Sequence, residues 1–199
     1  IPCHTLSVIL LGSCIGLLMI QPDLGQTVLL GAVWLSLFFM AGMSWIWIIS
    51  LGTLGASGLV MAYFSLSHVS GRIDRFLTGA GDNYQVERGL EAVSNGGWLG
   101  LGPGEGMAKN GLPDSHTDFV FSVAAEEFGI VLTMALVLVF AFIVVRGLMH
   151  GLREQDRFVQ LAVSGLALQF GFQAIINMSV NLRLMPAKGM TLPFVSYGG

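Results

Sequence analysis

Long stretches without a charged residue dominate the chain. No Asp, Glu, Lys or Arg stands between positions 1 and 22, and none between 24 and 71. A bilayer core about 30 Å thick takes ~20 apolar residues per helical crossing. Positions 6–20 therefore predict one short crossing, ended by Gln21, Pro22 and Asp23. The 24–71 stretch is too long for a single crossing and is interrupted at Ala41, Gly42, Met43 and Ser44. It predicts two helices, about 27–40 and 45–64, joined by a tight turn. Trp45 and Trp47 then fall at the interfacial depth that suits indole. Further apolar helices are predicted at about 128–145 and 158–178.

Residues 65–127 break this pattern with four basic and nine acidic residues and a run of glycines from Gly96 to Gly111. They read as a long extramembrane loop, in which short amphipathic segments such as 84–94 can lie on the membrane. Orientation follows from the basic residues of short connections. Arg146, Arg153 and Arg157 put the 146–157 link in the cytoplasm. Counting crossings from it places the 65–127 loop, Asp23 and the 179–195 segment together on the outer side. No 20–50-residue period repeats. The expected fold is an all-α polytopic membrane protein of about five transmembrane helices plus the start of a sixth. It forms one domain over 1–199, with a large extracytoplasmic loop at 65–127.

Composition supports this picture. The chain is 54% apolar and 11% charged, with a mean hydropathy of +0.75, whereas soluble domains are about 25% charged. A net charge of -3 with no dense basic cluster excludes a nucleic-acid footprint. Cys3 and Cys14 have no companions to complete a metal set and read as packing residues. The first apolar run lacks the basic flank and small-residue cleavage site of a signal peptide. A start at Ile1 and a stop at Gly199, where another apolar segment begins, lead us to expect a piece of a longer protein.

Candidate chemistry concentrates where carboxylates enter an apolar context. Asp118 stands between a polar loop and Phe119, Val120 and Phe121. Desolvation there disfavours the charged form and brings a carboxylate toward the range of a general base, and an ionisable group at membrane depth is a functional candidate by default. The competing role is capping of the helix that follows, by Asp118 or Thr117. His116 is a candidate orienting partner or an interfacial structural residue. His4, His68 and His150 are scattered without the spacing of a zinc site. Glu126 and Glu127 are expected to begin a helix, where acid complements the macrodipole.

The glycines from Gly100 to Gly106 fit neither a dinucleotide fingerprint nor a phosphate loop, and a tight irregular backbone accounts for them. Arg72, Arg75, Lys109, Arg183 and Lys188 are cations on the expected outer side. They suit a phosphate or pyrophosphate at headgroup level, or pairing with the loop acids. Lys188 has no acid nearby in sequence. Asn177 and Asn181 end an apolar helix, where amides glue helices together. Asp23 is placed to cap the next helix, and as an outer-side carboxylate it is carried as a substrate-binding candidate.

The segments QPDLGQT at 21–27, HTDFVF at 116–121, AEEFG at 125–129 and LMPAKGMTLPFVSYGG at 184–199 resemble the SEDS family of peptidoglycan glycosyltransferases, the FtsW, RodA and SpoVE proteins. The last segment is the most specific, and the matches span nearly the whole chain. GRIDRFLTG at 71–79 and NGGWLGLGPGEG at 95–106 look most like the division member, FtsW. Val120 stands where the family motif has Ile.

The resemblance implies ten helices, of which this chain supplies the fifth to the ninth and the entrance of the tenth, so that the piece alone is inactive. It further implies polymerisation of lipid II at the bacterial inner membrane, with Asp118 as the essential aspartate, acting as general base or as ligand to a divalent cation, Mg or Mn. Lys188, Arg72 and Arg75 are implied as candidates to face the leaving pyrophosphate, and a class B penicillin-binding protein is implied as partner. Two other readings stay open at this point: a lipid II flippase, and a non-catalytic division scaffold.

Overall fold

A computed structural model of the protein describes residues 3–21, 23–78, 84–107, 116–186 and 189–197, with the side chains of 3, 4, 68, 72 and 84–86 excepted. Seven α-helices and no strand occur among the described residues. They are α1 (Cys3–Ile20), α2 (Leu24–Met40), α3 (Trp45–Ser65), α4 (Ser67–Thr78), α5 (Tyr84–Gly96), α6 (Val120–Arg153) and α7 (Arg157–Asn181). Three of them, α3, α6 and α7, are long and apolar enough to cross a membrane. α1 and α2 are apolar but shorter. The chain divides into two compact units, Ile1–Ser70 with Gly147–Phe172, and Gly71–Arg146 with Gln173–Gly199.

In the first unit α2 packs against both α1 and α3. Leu24, Leu29, Val33 and Phe38 of α2 are buried, while Leu6, Ile9 and Leu17 of α1 and Ile46, Leu54, Met61 and Phe64 of α3 are exposed. Helices that present apolar side chains outward around most of their circumference belong in lipid. Several of their hydroxyls bond back to the same helix, Ser36 Oγ to the Ala32 carbonyl at 2.8 Å and Ser50 Oγ to that of Ile46 at 2.7 Å, which pairs these groups without water.

The predicted turn at 41–44 closes α2 by a Schellman motif. Gly42 takes φ 81°, Met43 N–H donates to the Phe38 carbonyl and Gly42 N–H to that of Phe39, at 3.0 and 3.1 Å. Small residues bring helices close: a Cβ on Gly165 would lie 3.2 Å from Leu37, and one on Gly147 3.0 Å from Ala167. A cavity of about 420 Å³ lies between α2 and this part of α7, lined by Leu30, Trp34, Leu161 and Leu166, with Gln26 and Gln169 also on its wall.

The second unit contains a helix break that the sequence reading misses. The apolar pattern predicts a helix beginning near 128; α6 begins eight residues earlier, at Val120, and breaks at Gly129, whose φ 77° and ψ 178° are not helical. In an unbroken helix the N–H groups of Ile130 and Val131 would reach the carbonyls of Glu126 and Glu127. Here they donate to Gly97 and Trp98, at 2.9 and 3.4 Å. The orphaned carbonyls of Glu126 and Glu127 accept from Leu101 and Gly102 of the same loop, both at 3.0 Å. The glycine-rich loop is thus stapled across the break by four backbone bonds.

That staple explains the glycines. A Cβ on Gly129 would collide with Gly100 N and the Trp98 carbonyl, and one on Gly100, itself at φ 80°, with the Glu127 carbonyl. The break also corrects the reading of Glu126 and Glu127. They do not begin a helix; they end the 120–128 segment, where the macrodipole does not favour acid. Glu126 is 2% exposed, and its Oε2 lies 2.7 Å from where a Gly106 Cβ would stand.

Other boundaries move less. α2 starts at Leu24 rather than 27, because Asp23 caps it. Among its described residues the 65–127 stretch holds α4 and α5, both with one apolar and one polar face, and the start of α6; the expected 84–94 segment falls within α5.

Candidate functional site

Residues 116–119 form a turn that delivers the chain into α6. Phe119 occupies the capping position and has no side chain able to accept a hydrogen bond, yet the first turn of a helix leaves its N–H groups unpaired. The partner comes from far along the chain. Asn181 Oδ1 accepts from Ser122 N–H at 3.2 Å and from Ser122 Oγ at 2.7 Å. Asn181 thereby caps the first turn of α6 at Ser122.

Two buried amides converge on Asp118 itself. Asn177 and Asn181, 1% and 0% exposed, stand one helical turn apart on α7 and face the same way. Asn177 Nδ2 and Asn181 Nδ2 each donate to the backbone carbonyl of Asp118 at 2.9 Å. Asn177 Nδ2 gives its other hydrogen to the Met190 carbonyl at 2.6 Å, and Asn181 Nδ2 its other to the Asn177 carbonyl at 2.9 Å. Buried amides are costly unless paired, and here both donors of each are used.

The 189–197 segment is drawn to the same place. Gln173 Nε2 donates to the Thr191 carbonyl at 3.1 Å, Leu192 N–H to Ser196 Oγ at 2.8 Å, and Tyr197 N–H to the His116 carbonyl at 2.9 Å. Met190 and Leu192 are buried. A Cβ on Gly189 would lie 3.3 Å from Asp118 Oδ2, so the carboxylate is directed at a stretch of backbone kept bare by glycine. Asp118 is half-buried and His116 exposed. On α5, a Cβ on Gly89 would lie 3.1 Å from Ser122 Oγ and 3.2 Å from Phe119, which packs α5 against the start of α6.

The remaining candidates divide. Lys109 and Lys188 lie outside the described residues, as does the side chain of Arg72, whose backbone belongs to α4. Arg75 is exposed and its Nε donates to the Gly71 carbonyl of its own helix at 2.7 Å. Arg183 faces Glu87 at 3.8 Å, a partly exposed pair of the bland kind. Asp23 caps α2, its Oδ1 accepting from Gln26 N–H at 3.0 Å and its carbonyl from Thr27 Oγ1 at 2.8 Å. Cys14 is a free thiol. A divalent cation would find the Asp118 carboxylate at this turn, but among the described residues no three His, Cys, Asp or Glu side chains gather as a metal site.

The sequence named Asp118 as a candidate and the two asparagines only as helix glue, and it did not point to Ser122 or Gly189. The i, i+4 spacing of two amides in an apolar helix was the available signal; nothing local marked Ser122.

Comparison with known proteins matches this arrangement to a family. The family model of FtsW, RodA and SpoVE, described as "Cell cycle protein", matches residues 3–199. The "Probable peptidoglycan glycosyltransferase FtsW" of Caulobacter vibrioides is 46% identical over 200 residues, covering 100% of this chain and 51% of that protein. Its counterpart in Nitrosomonas europaea is 38% identical over 191 residues, covering 92% and 49%. A solved structure described as "Structural coordination of polymerization and crosslinking by a peptidoglycan synthase complex" superposes with a TM-score of 0.80 at 28% identity, over 98% of this chain and 56% of that one. The chain spans about half the length of the curated relatives it matches. With a match that runs through the Asp118 turn and the 189–197 segment alike, the chain belongs to the FtsW/RodA/SpoVE family and is most like FtsW.

Proposed function

We propose that the whole protein to which this chain contributes is a peptidoglycan glycosyltransferase that polymerises lipid II during cell division, with Asp118 as its general base. The observation that carries the reading is the Asp118 turn, fixed by two buried amides with its carboxylate directed at the bare backbone of Gly189. In the proposed step the 4-hydroxyl of an incoming acceptor sugar attacks the anomeric carbon of the growing glycan. The bond from that carbon to the undecaprenyl pyrophosphate oxygen breaks, and the pyrophosphate leaves with the electron pair. Asp118 takes the hydroxyl proton and the anomeric centre inverts. Lys188, Arg72 and Arg75 are the proposed cations for the leaving group, and Lys109 and His116 stay as secondary substrate contacts, while the cap that Asp23 makes on α2 accounts for that carboxylate.

The same reading sets the surroundings. The chain contributes five crossings and the start of a sixth to one membrane domain. The 65–127 region, with α4 and α5, lies on the outer face of the bacterial inner membrane at the division septum. A class B penicillin-binding protein crosslinks the new strands, as the words polymerization and crosslinking in the description of the structural neighbour suggest.

The test is reconstitution of the complete protein with its transpeptidase partner and lipid II, comparing wild type with Asp118→Asn. Loss of polymer by at least 100-fold with an intact fold is expected. Undiminished polymer in the variant refutes the base assignment. Transport of lipid II across vesicles without any polymer from wild type would favour a flippase, and tolerance of changes at both Asp118 and Lys188 a scaffold.

A further inference from the structure

We infer that Asn177 and Asn181 are positioning residues for Asp118, setting the gap between its carboxylate and the 189–192 backbone; the inference rests on the general-base reading above. One nitrogen, Asn177 Nδ2, bridges the carbonyls of Asp118 and Met190 at 2.9 and 2.6 Å. Asp118 and Met190 are 72 positions apart, so no local geometry sets their distance; that amide ties the two carbonyls directly. Met190 adjoins Gly189, where a Cβ would stand 3.3 Å from Asp118 Oδ2. A shift of the bridge moves both walls of the gap.

Asn181 supplies the second restraint. It shares the Asp118 carbonyl and holds Ser122, one turn further on, through its Oδ1. With its carbonyl held by two amides and the following helix turn held at Ser122, the backbone of Asp118 is fixed. A base confined in this way meets the substrate hydroxyl without first being ordered, and misplacement of a reacting group by about 1 Å costs on the order of 100-fold in rate. If the amides served packing alone, their removal would cost stability and leave the turnover of folded protein unchanged.

Asn181→Asp separates these roles, because it keeps the shape and the acceptor for Ser122 while placing an oxygen against the Asp118 carbonyl. In the full-length protein reconstituted with its transpeptidase partner and lipid II, kcat is expected to fall about 10- to 100-fold per folded molecule, with KM for lipid II within about 2-fold. The double variant with Asp118→Asn is expected to be no slower than Asp118→Asn alone, since a positioning residue has nothing left to position. A folded Asn181→Asp protein with wild-type kcat overturns the inference while leaving the base reading intact, provided Asp118→Asn is inactive. An active Asp118→Asn protein ends both. Should Asn181→Asp not fold, Gly189→Ala probes the same gap by placing a methyl against Asp118 Oδ2. It is expected to lower kcat at least 5-fold with unchanged thermal stability, and wild-type kcat would overturn the inference.

Discussion

Replacing Gly129 by alanine tests whether the glycine loop is held by the break in α6. Four backbone bonds cross the break, from Ile130 and Val131 to the loop and from Leu101 and Gly102 back to the helix. At a net ~1 kcal/mol each they contribute about 4 kcal/mol to loop docking. Alanine has two ways to respond. It can keep φ 77° and ψ 178°, a region that is essentially glycine's own and costs about 1–3 kcal/mol, with its methyl pressed against the Trp98 carbonyl. Or it can straighten the helix, which releases the four bonds and regains two, a loss of about 2 kcal/mol. Either route weakens the docked loop by ~2–3 kcal/mol. Hydrogen exchange of the Leu101 and Gly102 amides in nanodiscs reads this as roughly 30-fold or more faster exchange, since each 1.4 kcal/mol is tenfold. Gly97→Ala is the control: its φ is 57° but a Cβ there meets nothing within 4 Å, so only about 1 kcal/mol of left-handed strain is expected. If Gly129→Ala exchanges no faster than Gly97→Ala, the staple is not what holds the loop.

Two further substitutions separate structure from chemistry. Asp23→Asn retains a good cap and is expected to leave thermal stability and polymer yield unchanged, while Asp23→Ala costs ~1 kcal/mol; loss of polymer in a stable Asp23→Asn protein would instead mean that its charge meets substrate. Arg183 ends α7 in a left-handed conformation, φ 58°, with Leu184 N–H bonded to the Ser179 carbonyl at 2.8 Å and Arg183 N–H to that of Val180 at 3.1 Å, a Schellman cap built on the wrong residue. Arg183→Gly is expected to raise stability by up to ~1 kcal/mol in a thermal melt, because its 3.8 Å pair with Glu87 is partly exposed and weak; a destabilised variant would show that pair to be worth more.

Burying a charge in lipid costs several kcal/mol wherever it happens, so the absence of charge from 24 to 71 reports on those residues alone. For the same reason the helices at 3–20, 24–40, 45–65 and 157–181, the turn at Gly42 and the capping position of Asp23 were legible from local pattern. The family motifs likewise marked Asp118 directly.

Tertiary structure alone decided what those elements do together. Phe128 and Gly129 read as the start of an apolar helix; that the helix starts at Val120 and breaks at Gly129 depends on a loop 30 residues earlier offering replacement partners for four backbone groups. Glu126 and Glu127 consequently became the end of a segment rather than its first turn. Asn177 and Asn181 could be read as glue, but not as glue for Asp118, which lies 59 and 63 positions away. Solvation acts on each residue where it stands and is written locally, whereas a hydrogen bond between distant residues exists only once packing has brought them within 3 Å.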